Sequence, residues 1–132
     1  MIDVIKTALS GLNASSQKLA ASASNIANID TVGSLEDGGQ APYTPLTTTQ
    51  STGVGGGVTS KVVPKNNPFY SAYSPDSRFA DENGIIGVPN VDLAEEAVNS
   101  KIAEITYKAN IKVIKAAEEM SYDLLSLVDK KA

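Results

Sequence analysis

The chain has no cysteine and no histidine. Disulfides, thiol nucleophiles, imidazole catalysis and nearly all zinc sites are therefore excluded. It has a single arginine, Arg78, and a net charge of −4. A surface that reads phosphates needs the opposite balance, so no nucleic acid is expected as a partner. No apolar run approaches the roughly 20 residues of a membrane span. The sequence opens Met-Ile-Asp-Val-Ile, without a basic leader and long apolar stretch, so a Sec-type signal is not expected. A nucleophile–base pair could come only from Ser, Lys and carboxylates, and none has suggestive spacing. No enzyme is expected, and no catalytic, cofactor-binding or metal-ligating residues. The 132 residues suffice for one ordinary domain.

What is present lies at the two ends. Apolar residues recur at Val98, Ile102, Ile105, Ala109, Val113, Ala116, Met120, Leu124 and Leu127, in steps of three and four. That is one helix with one apolar face. Asp92 is placed to cap it, with Glu95 three residues on as in a capping box, and Pro89 discourages helix upstream. Such a helix spans roughly 55 Å at 1.5 Å per residue and needs a partner for its stripe.

The first thirty residues repeat the theme. Ile2, Ile5, Leu9, Leu12, Ser16, Leu19, Ala23 and Ile26 alternate by three and four, a heptad seam broken only by Ser16. Ser and Ala fill much of the remaining surface, which lets other helices approach closely. Gly11, inside the pattern, predicts a kink or a close contact. Charge is sparse, with Asp3, Lys6 and Lys18 alone before Asp30, as suits a helix covered on most sides in its working state.

Residues 31–89 hold nine of the ten glycines, all six prolines and five of the seven aromatics. Long helices are excluded there. Extended pieces are predicted at Tyr43–Gln50 and Val58–Val63, joined by Gly53–Gly57. Asn83-Gly84 before Ile85-Ile86 predicts a primed hairpin turn. The expected fold is mainly α. Two long terminal helices, 1–30 and 90–132, pack antiparallel through their apolar seams as a coiled-coil-like pair around a short irregular or β insert. The last helix outruns the first by about ten residues; the excess falls around Met120 to Leu127 or at the Val98 end, and unpaired apolar length is an oligomerisation signal.

Other features read as structure rather than chemistry. Gly53–Gly57 lacks the Lys-Ser/Thr of a phosphate loop and reads as a flexible linker. Asp76, Asp81 and Glu82 lack metal-loop spacing and read as a solvated turn. Glu95-Glu96 and Glu118-Glu119 read as solvated helix faces. Lys101, Lys108, Lys112 and Lys115 form a modest basic run, partly explained by pairing of Glu104 with Lys108.

Ser10-Gly11-Leu12-Asn13-Ala14, then Ala23-Ser24-Asn25-Ile26-Ala27-Asn28-Ile29-Asp30-Thr31, resembles the N-terminal signature of bacterial flagellar rod and hook proteins. Pro89-Asn90-Val91-Asp92-Leu93, followed by Tyr107-Lys108-Ala109-Asn110, resembles their C-terminal signature. Asp37-Gly38-Gly39-Gln40-Ala41-Pro42-Tyr43, Tyr73-Ser74-Pro75-Asp76 and Ala80-Asp81-Glu82-Asn83-Gly84 are similar to the short proximal-rod members. Where the family has an Arg between small residues before the Tyr, this chain has Glu104-Ile105-Thr106. Where the family has Glu-Met after Asp-Leu, it has Glu96-Ala97. The family-motif residues carried over are Ser10, Gly11, Leu12, Asn25, Ala27, Asn28, Thr31, Pro89, Asn90, Val91, Asp92, Tyr107, Ala109 and Asn110.

The resemblance implies a structural subunit of the flagellar basal body, exported through the flagellar type III apparatus without a cleaved signal. It implies assembly in the periplasm with itself and other rod proteins, next to basal-body ring and export-gate-adjacent proteins. The work is mechanical: walling the export channel and transmitting torque. The expected subunit interface is Ile5, Leu9, Leu12, Leu19 and Ile26 on the first helix. On the last it is Val98, Ile102, Ile105, Ala109, Val113, Met120 and Leu124. The alternative is a soluble coiled-coil adaptor or export chaperone that binds a partner helix.

Overall fold

The computed structural model describes residues 2–129. Helix α1 spans Ile2–Ala27 and α2 spans Leu93–Asp129. Between them lie two antiparallel hairpins: β1 (Leu46–Thr52) with β2 (Val58–Pro64), and β3 (Phe69–Tyr73) with β4 (Ile85–Pro89). Roughly half of the chain is helical, less than a mainly-α fold implies.

The ends of α2 follow from its sequence. Asp92 Oδ1 accepts from Ala94 N at 2.8 Å and from Glu95 N at 3.1 Å, satisfying two of the free amides of the first turn. The capping box is not completed by Glu95, which turns to Lys65 Nζ at 2.8 Å. At the C-terminal end of α1, Asn28 Nδ2 donates to Ser24 O at 2.9 Å, and Thr31 N donates to Asn28 O at 3.0 Å.

The two helices pack along their length and run antiparallel: Asn25 meets Glu96 at one end, and Gly11 meets Asn110 further along. The rows that meet are not the apolar seams. On α1 the buried residues are Ala8, Ala14, Ser15, Ala21, Ser22 and Asn25. Ala8, Ser15, Ser22 and Asn25 each stand one place before a member of the predicted seam. On α2 the inward row recurs every seven residues, at Glu96, Ala103, Asn110 and Ala117. The expected pairing of apolar seams is therefore corrected. Small side chains let two helix axes come close, whereas Leu and Ile rows would hold them apart. Gly11 makes a close contact: a Cβ there would come within 2.6 Å of Asn110 Nδ2. Carrying the Asn25–Glu96 and Gly11–Asn110 alignment to the start of α1 leaves about ten residues of α2 beyond it, roughly 15 Å of helix. The surplus lies at the C-terminal end, one of the two ends that the sequence leaves open.

The β1–β2 hairpin lies along α1, because the two have matched lengths. Val58 N donates to Ser10 Oγ at 3.0 Å, and at the far end Leu46, paired with Pro64, is held by Asn25. Six strand steps cover roughly 20 Å and the fifteen helical steps from Ser10 to Asn25 cover roughly 22 Å.

The glycine run is not a flexible linker. Gly55, Gly56 and Gly57 have φ of 87°, 95° and 80°, a backbone that side-chain-bearing residues rarely adopt. A Cβ on Gly57 would fall on Ser10 Oγ of α1. The run is a fixed turn docked on the helix. Gly57→Ala should destabilise the chain by about 2 kcal/mol, through backbone strain and displacement of the Ser10 hydroxyl. Urea unfolding measures this, and a loss below about 0.5 kcal/mol would restore the linker reading.

The expected primed turn at Asn83-Gly84 is also corrected. Eleven residues separate β3 from β4, and among the described residues only Asn67 outside the glycines has positive φ. The turn runs from Asp81 to Gly84, with Gly84 N donating to Asp81 O at 3.0 Å. Asp81 Oδ1 accepts from Asn83 N and Ile85 N, both at 2.8 Å. Asp in the first position and Gly in the fourth suit a type I turn. Gly33 tethers the second hairpin to the end of α1 by a reciprocal pair of bonds with Gly87.

Candidate assembly surface

Three segments converge on one side chain. Asn25 is 0 % exposed. Its Nδ2 donates to Leu46 O at 2.8 Å and to Glu96 Oε1 at 2.7 Å. Its Oδ1 accepts from Leu46 N at 2.8 Å and from the Tyr43 hydroxyl at 3.0 Å. Two donors and two acceptor sites are the whole capacity of an amide, and all four are used. By bonding both the N–H and the C=O of Leu46, Asn25 takes the place of a neighbouring strand at the β1 edge. Tyr43 gives its proton to Asn25, so Ser24 Oγ donates to the Tyr43 oxygen at 2.8 Å. One residue thus joins α1, the hairpin and α2.

Glu96 is 3 % exposed. The expectation of a solvated face is corrected for Glu96 and holds for Glu95, which is exposed. Glu96 borders a polar cavity of about 130 Å³ shared with Lys18, Ser22, Lys65 and Asn99, roomy enough to hydrate a carboxylate. Glu96 and Tyr43 are the hub members that reading the sequence missed as partners. The only available signal was Glu96 falling in phase with Ala103 and Ala117.

The family-motif residues fall largely at junctions. Ser10 holds Val58 and Gly11 receives Asn110, whose Nδ2 donates to Thr106 O at 2.9 Å. Thr31 O accepts from Tyr43 N at 3.0 Å. Pro89 is buried, and Asn90 reaches back to Asn67 O at 3.0 Å and Pro68 O at 2.7 Å. Leu12 and Val91 are half-buried, whereas Ala27, Tyr107 and Ala109 are exposed.

The residues expected at the subunit interface lie on the outside. Leu9 is 59 % exposed and Ile102 47 %. Leu19, Ile26, Val98, Ile105, Ala109, Val113, Met120 and Leu124 are exposed too, and Ile5 and Leu12 are half-buried. The α1 row borders a shallow groove lined by Leu9, Leu12, Ser16 and Tyr107. The α2 row continues past the start of α1 into Leu124, Leu125 and Leu127, all exposed. Two exposed apolar rows of this length are unusual on one small chain.

Beside the α2 row, Glu104 pairs with Lys101 at 3.0 Å and with Lys108. The Lys108 and Lys101 ammonium groups hold its carboxyl down to about 2, from an ordinary value of 4.5. The pair's support of the helix is complete above about 4.5 and is lost as pH falls toward 2. The group is solvent-exposed, so salt screens it. An NMR titration at low ionic strength should find Glu104 titrating well below 4.5, and molar salt should move it back toward that value. A normal midpoint at low salt would remove the pairing.

Comparison with known proteins shows what this chain is similar to. The family model described as "Flagella basal body rod protein" matches residues 5–33. That described as "Flagellar basal body rod FlgEFG protein C-terminal" matches residues 82–127. The chain is 32 % identical over 133 aligned residues to the flagellar basal-body rod protein FlgC of Salmonella typhimurium, covering 96 % of this chain and 97 % of that one. It is 32 % identical to FlgC of Buchnera aphidicola from Acyrthosiphon pisum and 30 % to FlgC of Yersinia enterocolitica, with the same coverage.

Proposed function

Because the chain belongs to the flagellar basal-body rod protein family and is FlgC-like, we propose that it builds the proximal rod through the exposed apolar rows of its two helices. The family is structural rather than enzymatic, and its place is the flagellar basal body. In our reading, 1–30 and 90–132 form the axial core and 31–89 is an insert on its side. Ile5, Leu9, Leu12, Leu19 and Ile26 on α1 meet neighbouring subunits. So do Val98, Ile102, Ile105, Ala109, Val113, Met120 and Leu124 on α2. The observation that carries this reading is the segregation of side chains: small ones face the other helix of the same chain and large apolar ones face outward. Packing between subunits is then coiled-coil-like, and the intramolecular contact sets the spacing of the rows. The assembled tube walls the export channel and transmits torque, and the subunit reaches it through the flagellar type III apparatus. Ring and export-gate-adjacent proteins are its neighbours at the base.

Electron microscopy of isolated basal bodies from a strain whose copy of this chain carries a label in the β3–β4 loop tests the placement. Density at the proximal rod is expected. Label found only on cytoplasmic complexes would favour an adaptor or export chaperone, a reading the full-length relatives do not favour.

A further inference from the structure

Each hairpin has one blunted edge and one open edge. In an antiparallel pair, alternate residues turn their N–H and C=O outward. Asn90 N donates to Pro68 O and Ser74 N to Gly84 O, which fixes the phase of the β3–β4 ladder. The outward residues are then Phe69, Ser71 and Tyr73 on β3, and Ile85, Gly87 and Pro89 on β4. The β4 edge is closed. Ile85 exchanges bonds with Asp81 and Gly87 with Gly33, while Pro89 has no N–H and accepts from Val91 N. The phase of the first hairpin follows from Lys65 N on Pro45 O and Gly53 N on Gly57 O. There β1 turns out Leu46, Thr48, Gln50 and Thr52, and β2 turns out Val58, Ser60, Val62 and Pro64. Asn25 takes both backbone groups of Leu46, and Ser10 takes the Val58 N–H. Pro64 has no N–H, and Lys61 stands between the two residues that β2 has left. Proline, lysine and covering groups are what keep a strand edge from pairing. Two runs of three lack them: Thr48, Gln50 and Thr52 on β1, and Phe69, Ser71 and Tyr73 on β3. Neither strand carries a charge. Among the described residues nothing bonds the outward backbone groups of either run, and Gln50, Thr52, Ser71 and Tyr73 are exposed.

We propose that the β1 edge of one copy pairs antiparallel with the β3 edge of the next, joining two hairpins into one four-stranded sheet across the subunit contact. The inference rests on the reading of the chain as a rod subunit. Neighbours that all point the same way meet through unlike surfaces, so each copy needs two different edges, and β1 and β3 supply them. Antiparallel bonding is the more stable per residue. It sets Thr48 opposite Tyr73, Gln50 opposite Ser71 and Thr52 opposite Phe69, with a β-branched side chain beside each ring. A two-stranded hairpin is marginal alone, whereas three or more strands support one another. One chain cannot make this pairing with itself. Phe69 would lie beside Thr52, whose own partner is Val58. Six strand steps and two strand widths separate Pro64 from that place, roughly 22 Å. The five steps from Pro64 to Phe69 span at most roughly 18 Å. Three residues a side are few, so the sheet forms where the helices have already brought two copies together.

The absence of cysteine makes a direct test simple. In a strain whose sole copy of the chain carries both Gln50→Cys and Ser71→Cys, isolated basal bodies are oxidised mildly and run on a non-reducing gel. Disulfide-linked dimers and longer multimers are expected, since opposed Cα atoms of a bonded pair lie about 5.5 Å apart, within a disulfide's reach. Either cysteine alone should give none. Ser71→Pro removes an outward N–H and leaves the β3–β4 ladder intact. The purified variant should keep its circular dichroism, while the yield of intact basal bodies falls about fivefold or more, the effect of one hydrogen bond lost at each contact. Basal bodies that hold the double-cysteine chain, from a motile strain, and show no linked species overturn the strand pairing and leave the rod assignment standing. Linked dimers from Ser71→Cys alone overturn it too, because they bring like edges together. So does an unchanged yield with Ser71→Pro. Absence of the unmodified chain from basal bodies removes both readings.

Discussion

Asn25→Leu should cost the folded chain about 4 kcal/mol in urea unfolding. The variant keeps the volume and adds apolar surface, so a purely hydrophobic account expects little change. The cost comes from what the amide leaves behind. The Leu46 N–H and C=O, the Tyr43 hydroxyl and the Glu96 carboxylate all lose a partner at 2.7–3.0 Å. An unsatisfied buried group costs about 1–3 kcal/mol, and more when charged. Rearrangement of Tyr43 and hydration of Glu96 from its cavity recover part of the sum, which keeps the total near the upper range for single substitutions. Glu96→Gln should be milder, because an amide oxygen still accepts from Asn25. Asn25→Asp should be severe at neutral pH, where it sets two carboxylates together. A loss under about 1 kcal/mol for Asn25→Leu would mean that the hub is dispensable and the small-residue rows alone hold the helices.

The second large effect separates folding from assembly. Ile102→Asp should leave the isolated chain as stable as its parent, within about 0.5 kcal/mol, since the side chain already faces solvent. The same variant should fail to enter the rod. A carboxylate buried without a partner at a subunit contact costs on the order of 3 kcal/mol, more than a hundredfold in affinity, and the cost recurs at every subunit. Leu12→Asp should also block assembly, but as Leu12 is half-buried it should lose some stability too. Soft-agar motility and the yield of intact basal bodies read the assembly, and circular dichroism reads the fold. Normal motility of Ile102→Asp at normal expression would exclude this row from the interface.

Both results depend on a distinction that hydrophobic periodicity does not make. The steps of three and four at Ile2 to Ile26 and at Val98 to Leu127 determined that each end is a helix with one apolar face, because only a 3.6-residue period brings those positions together. The Asp92 cap, the greater length of α2, the extended pieces around Gly53–Gly57 and the family resemblance were equally legible, since each rests on local chemistry. Which face meets which element was not. A stripe that is apolar because a neighbouring subunit covers it has the same pattern as one covered by its own chain. The tertiary structure decided that Ala8, Ser15 and Ser22 turn inward while Leu9, Leu19 and Ile26 turn out. α1 must receive both α2 and a hairpin, and short side chains let both approach. It also made Asn25 and Glu96 a buried pair, although they stand seventy-one residues apart and each suits a solvated helix surface. And it fixed the glycine run as a docked turn, because left-handed backbone and the nearness of Ser10 are properties of placement, which composition does not encode.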